Sequence, residues 1–140
     1  EIQNKSFKKM SSALLWEITK NNNCYLKTQR GMTISKDPMN ITGKNCFRYS
    51  GLIHKKAINV VKGPNNKVIL LSKTQKQKQQ RKPSTLIKKT QFKDGKRRTL
   101  NGIRSNISNN KMREELTMLA LRKASALMRD NTKKVEKKKL

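Results

Sequence analysis

One histidine, two cysteines and two adjacent glutamates are the residues of this chain best suited to acid–base, metal or nucleophilic chemistry. His54 stands alone, and general acid–base catalysis needs two positioned titrating groups. It therefore reads as a structural or phosphate-contacting residue rather than a base. Cys24, Cys46 and His54 are metal-ligating types, but a structural zinc site takes four ligands, usually with two cysteines two to four residues apart. The spacing here is wrong and the fourth ligand is missing, so no metal is expected and buried thiols are. With no secretory signal, free thiols are expected rather than a disulfide. Glu114 and Glu115 would point about 100° apart on a helix, so they do not face one substrate, and favourable charge at a helix start explains them better. No Walker A loop, dinucleotide-binding glycine pattern or nucleophile elbow occurs. No catalytic residue, cofactor, small-molecule substrate or enzyme activity is expected.

The chemistry the chain does carry is cationic. Lys and Arg number 35 against 8 acids in 140 residues, a formal charge of +27. From Pro38 to Lys93 there are fourteen Lys or Arg and no acid. Solvated faces normally mix signs, so a one-sign run of this length points to a polyanion, bound by phosphate neutralisation and counterion release. The longest apolar runs are four residues, such as Val68 to Leu71, whereas a spanning helix needs about 20. Ala13-Leu14-Leu15-Trp16, stopped by Glu17, is too short for a signal peptide. No membrane partner is expected, and a basic membrane-surface protein is kept as an alternative.

RNA is favoured over DNA. No recognition helix of a known DNA-binding type is visible, and the cations are spread over loops, strands and helices, which suits an irregular folded RNA. The candidate RNA contacts are Arg48, Tyr49, His54, Lys55, Lys56, Arg81, Lys82, Lys88, Arg97, Arg98, Arg104, Arg122 and Arg129. Each phosphate contact is worth on the order of 1 kcal/mol. Tyr49, beside Arg48, is placed either to stack on an unpaired base or to lie half in the core.

The elements that must position these residues are mixed. A helix starts at Ser11-Ser12, with Ser12 as cap and Leu14, Leu15 and Ile18 on one face, and ends at Asn21-Asn22-Asn23. Cys24 to Thr28 alternates like a short strand, and Thr33-Ile34 is a weaker one between turns at Gly31 and Asp37-Pro38. Ile58 to Val61 and Val68 to Leu71 flank Gly63-Pro64-Asn65-Asn66 and read as a hairpin packing against the first helix. Residues 72–83 form a basic loop, and Leu86-Ile87 a brief strand. Asp94 is placed to cap a helix over Gly95 to Ser108, with Leu100, Ile103 and Ile107 inward and Arg97, Asn101 and Arg104 outward. Gly102 costs that helix about 1 kcal/mol relative to Ala, so it needs tertiary support. A second helix spans Met112 to Arg129, with Leu116, Leu119, Ala120, Ala124, Leu127 and Met128 inward and Arg122, Ser125 and Arg129 outward; the two form a helical hairpin. The tail from Asn131 is mostly lysine and expected to be disordered; Lys133 to Lys139 suit a nuclear import signal. The organisation is thus an extension (1–10), a small α+β RNA-binding domain (11–93), the hairpin (94–130) and a basic tail (131–140). The fold class is α+β, a small antiparallel sheet with an N-terminal helix and C-terminal helices.

The most varied stretch is Asn45 to Lys56, holding the histidine, one cysteine and two of the six aromatics. Its aromatics read as core anchors for a turn at Ser50-Gly51, with Gly51 there for backbone freedom and Arg48, His54, Lys55 and Lys56 held toward RNA.

Phe47-Arg48-Tyr49-Ser50-Gly51-Leu52-Ile53-His54, with Ser11 to Trp16, Arg81-Lys82-Pro83, Thr99-Leu100, Ile103-Arg104 and Arg122-Lys123-Ala124-Ser125-Ala126-Leu127, resembles in order the eukaryote-specific family of large-subunit ribosomal protein twenty-eight. The resemblance covers nearly all of residues 11–129. It implies a structural constituent of the large subunit of the cytosolic ribosome, without enzyme activity. The implied partners are large-subunit ribosomal RNA, including expansion-segment RNA, and neighbouring large-subunit ribosomal proteins. The implied location is the cytoplasmic ribosome, reached through nucleus and nucleolus. It also implies that Met10 corresponds to the family's initiator. A related family of nucleolar assembly factors shares the domain but carries clustered cysteines where only Cys46 stands here, and a long acidic extension where this chain's tail is short and basic.

Overall fold

The computed structural model describes residues 10–64, 67–73, 83–92 and 95–137. Helix α1 (Ser12–Thr19) is followed by strands β1 (Leu26–Gln29) and β2 (Met32–Ser35) and a single 3-10 turn, Phe47–Tyr49. Then come β3 (Ala57–Lys62), β4 (Val68–Lys73), a one-turn helix α2 (Pro83–Leu86) and β5 (Ile87–Gln91). Helix α3 (Lys96–Asn109), a 3-10 turn (Glu114–Leu116) and helix α4 (Thr117–Lys137) complete the chain. The fold is α+β, as the residue pattern indicates.

The hairpin of β-branched runs forms as its turn residues dictate. Strands β3 and β4 pair antiparallel from Ala57↔Lys73 to Lys62↔Val68, and Gly63 N–H donates to Lys67 O at 2.7 Å to close the connection. Strand β5 adds to β4, from Ile69↔Gln91 to Lys73↔Ile87, giving the order β3-β4-β5. The brief strand expected at Leu86-Ile87 is therefore an edge strand of five residues, with Leu86 in the turn before it. Lys88 and Lys89 are exposed on it, and charges on an edge discourage pairing with other chains.

Period-two alternation divides the sheet. Ile58, Val60, Val68 and Leu70 face the helices and join Ile103, Ile107, Met112, Leu116, Ala120 and Ala124 in the main core. Each fully buried Ile is worth roughly 1.5–3 kcal/mol of apolar transfer. Small side chains at Ala120 and Ala124, both 0% exposed, let α4 lie close on the sheet. Ala57 and Leu71 point to the opposite face, under Met39. The tertiary support that α3 needs at Gly102 comes from Phe92: a Cβ on Gly102 would stand 2.9 Å from that ring, so the glycine admits the aromatic.

Several expectations are corrected. The hairpin packs against α3 and α4, not α1. Helix α1 has no buried residue, and Leu14 and Ile18 are 50% and 59% exposed. Its three inward candidates cannot compete with the longer stripe that α3 and α4 offer together. Its cap is Ser11, whose Oγ accepts from Leu14 N–H at 3.2 Å, rather than Ser12. Asp94 lies outside the described residues, and Gly95 holds the cap position of α3 at φ +115°. Glu114 and Glu115 sit in the 3-10 turn ahead of α4, and α4 continues to Lys137, past the expected start of the tail. Cys24 and Cys46 are free as expected but exposed, not buried. Both lie in the loosely covered N-terminal third, where no core reaches them.

Strands β1 and β2 pair through Gln29↔Met32. The two residues between, Arg30 and Gly31, have φ +50° and +74°, the positive values a tight two-residue hairpin demands.

Candidate nucleic-acid interface

The stretch from Asn45 to Lys56 is organised by an earlier segment, Asp37 to Ile41. Asp37, 6% exposed, accepts Met39 N–H at 2.9 Å on Oδ1 and Gly51 N–H at 2.8 Å on Oδ2. Gly51 O in turn accepts from Lys73 Nζ at 2.7 Å. Burial lowers the Lys73 pKa, and Asp37 partly restores it. Asn59 Nδ2 holds Pro38 O at 2.7 Å. Asn40 donates to Lys44 O and accepts from the N–H groups of Thr42 and Gly43. Asp and Asn are prone to such side-chain turns; here they also fill the hydrogen-bonding needs of buried backbone. Gly51 shows no positive φ, so backbone freedom is not its role. A Cβ there would stand 2.3 Å from Met39 Cβ, and the glycine serves close approach instead.

Helix α4 reaches the same segment. Lys123 Nζ donates to Ile41 O at 2.9 Å and to Asn59 Oδ1 at 2.8 Å, and burial lowers its pKa. Lys123 is thus spent on the fold. Its position three residues after buried Ala120 and four before Leu127 places it on the apolar stripe, a spacing signal that a tally of cations passes over. Lys123→Met keeps the apolar stem and removes both bonds, while relieving the cost of a half-buried charge. A net loss of about 1 kcal/mol is expected, read as a lower urea midpoint; an unchanged midpoint would show the two bonds to be idle.

The turn at Phe47–Tyr49 divides its side chains. Tyr49 is half-buried against the main core, as an anchor should be. Phe47 is 38% exposed, which corrects its assignment to the core. Its ring meets Trp16 edge to face at 6.0 Å and His54 at 4.9 Å between centroids. This aromatic row, with Asn45 Nδ2 donating to Lys20 O at 2.8 Å, is what attaches α1. His54 Nε2 lies 2.8 Å from Phe47 O. A carbonyl only accepts, so Nε2 carries the proton. The His54 pKa is lowered, by burial first, then by Arg113 and Lys73, against the carbonyl bond and Glu115.

Arg113, which the sequence reading passed over, ties this region to α4. Its Nη1 donates to Arg48 O at 2.7 Å, and its guanidinium pairs with Glu115. The hydrogen bond from the Arg113 guanidinium to the Glu115 carboxylate, more than the charge of Arg113 itself, lowers the Glu115 pKa. Arg48 Nη2 lies 3.8 Å from the same carboxylate, with its side chain half exposed and its guanidinium 6.0 Å from the Tyr49 ring centroid. Lys56 Nζ donates to Lys111 O at 2.8 Å, so one candidate RNA contact also braces the α3–α4 turn. Lys55 is exposed.

The remaining candidates sit on separate faces. Arg97, Arg98 and Arg104 are exposed on α3. Gly95, Lys96, Arg97, Arg98, Asn101, Gly102 and Ser105 line a shallow open depression there. Arg122 and Arg129 are exposed on α4, and Lys88 on β5. Arg81 and Lys82 lie outside the described residues. Among the described residues no group of three or more potential metal ligands occurs, and no helix is long and apolar enough to cross a membrane.

A model of the Ribosomal L28e protein family matches residues 14–130. Large ribosomal subunit protein eL28 of Schizosaccharomyces pombe is 30% identical over 123 residues, which cover 85% of this chain and 91% of that protein. Its namesake in Caenorhabditis elegans is 32% identical over 133 residues, 93% of this chain and 98% of that one. The Dictyostelium discoideum protein of the same name is 44% identical over 64 residues, about half of each chain.

Proposed function

Because the chain belongs to the ribosomal L28e protein family, we propose that it is a structural constituent of the large subunit of the cytosolic eukaryotic ribosome, holding large-subunit ribosomal RNA, expansion-segment RNA included, through phosphate contacts. The observation that carries the RNA part is the division of the cations. Lys73 and Lys123 are turned inward to build the fold, while Arg97, Arg98, Arg104, Arg122, Lys55 and Lys88 stand exposed on several faces. A charge of +27 held this way opposes compaction unless an anion neutralises it. An irregular folded RNA can meet several faces at once, whereas a duplex groove meets one. The protein acts by packing, neutralising and positioning, and its neighbours are other large-subunit proteins.

Its path is nuclear and nucleolar assembly followed by residence on cytoplasmic ribosomes. Sedimentation tests this. The tagged protein is expected to stay with the large subunit and with translating polysomes. Departure before the polysome fractions would instead identify an assembly factor.

A further inference from the structure

Phosphate contacts leave the exposed aromatic surface of Phe47 unexplained. Its ring is held by Trp16 and His54, at interplanar angles of 75° and 66°, edge-to-face arrangements that favour a fixed orientation. The backbone beneath it is fixed as well: Tyr49 N–H and Ser50 N–H both donate to Cys46 O, and His54 donates to Phe47 O. The ring is thus preset and still 38% exposed, as is Leu52 at 42%. Around it in sequence stand the exposed cations Arg48, Lys55 and Lys56. Glu115 approaches Arg48, and the Arg113 and Arg48 guanidiniums offset its charge.

A partner for this surface must offer a flat apolar face and negative charge together. A duplex offers the charge but hides its base faces, and an apolar protein patch offers the face without the charge. An unpaired nucleotide offers both, one base face beside each phosphate.

We propose that Phe47, braced by Trp16 and His54, is the seat on which an unpaired RNA base stacks, with Arg48, Lys55 and Lys56 on the adjoining phosphates. The inference rests on the RNA-binding reading above and moves the stacking role from Tyr49, which is packed on the core, to Phe47.

The test uses the full chain with a single-stranded oligoadenylate and an RNA duplex of equal length. Trp16 is the only tryptophan and lies beside the seat, so its fluorescence reports occupancy. Oligoadenylate is expected to quench it more than the duplex does. Phe47→Leu keeps an apolar contact for Trp16 but removes the π-face. It is expected to lose about fivefold or more in affinity for oligoadenylate, with an unchanged salt slope and unchanged duplex affinity. Phe47→Tyr, which keeps the ring, is expected to retain wild-type affinity. Circular dichroism of each variant confirms the fold. Wild-type affinity of Phe47→Leu for oligoadenylate, or an equal loss on both probes, would overturn the stacking seat while leaving RNA binding intact. Unchanged RNA affinity with reduced entry into ribosomes would overturn it too and assign the face to a protein neighbour. A wild-type chain that binds neither probe would remove both readings.

Discussion

Gly51→Val is expected to cost about 4 kcal/mol of stability, a large part of what a small domain has. Two effects add. The new Cβ would stand 2.3 Å from Met39 Cβ and 2.9 Å from Asp37 Oδ2, and neither atom can retreat. Met39 is buried under the sheet at 4% exposure, and Asp37 is held by two backbone N–H groups. Overpacking of this kind costs about 1–3 kcal/mol. Moving the chain apart would also break the Gly51 N–H bond to a buried carboxylate, worth about 1.5–3 kcal/mol, and would loosen the Lys73 bond to Gly51 O. Gly31→Ala is the control: nothing lies within 4 Å of its Cβ, and only its φ of +74° is strained, for about 1–2 kcal/mol. The urea midpoint and incorporation into ribosomes should fall far more for Gly51→Val than for Gly31→Ala, and incorporation more than for Lys138→Ala in the tail. A Gly51→Val protein as stable as wild type would show that the Asp37 contact does not organise the loop.

Replacing Arg97, Arg98 and Arg104 together by Ala is expected to weaken binding to large-subunit ribosomal RNA about a hundredfold while leaving the fold intact. All three are exposed on α3, and Ala favours helix, so stability should hold. At on the order of 1 kcal/mol per phosphate contact, three contacts amount to roughly 3 kcal/mol, near two powers of ten. The signature lies in the salt dependence. Each lost contact should flatten the slope of log affinity against log salt by about one, so the triple variant should lose about three. A wild-type slope would place the RNA elsewhere on the molecule, with the Arg122 and Arg129 face of α4 the next to test.

What could be read from the residues was what depends on near neighbours or on totals. The hairpin through Gly63-Pro64 and the stripes of α3 and α4 follow from turn chemistry and from the period of apolar side chains. The anionic partner class follows from charge. The motif Phe47 to His54 singled out a stretch that proves tightly tied to the rest of the fold, and Gly51 within it, because its residue types are unusual in so basic a chain. The apolar spacing in α1 looked like that in α3, yet α1 has no fully buried residue, since a stripe states that a helix can bury a face and not which partner will win the sheet. The reason for Gly51 needed coordinates, because its constraint comes from Met39 and Asp37, twelve and fourteen residues earlier, and not from its own φ. So did the sorting of the lysines: Lys73 and Lys123 have the composition of RNA contacts and the positions of core ties. Local sequence determines propensity, period and charge. Which faces meet, and which cations they enclose, is decided only when segments far apart in the chain compete for the same buried surface.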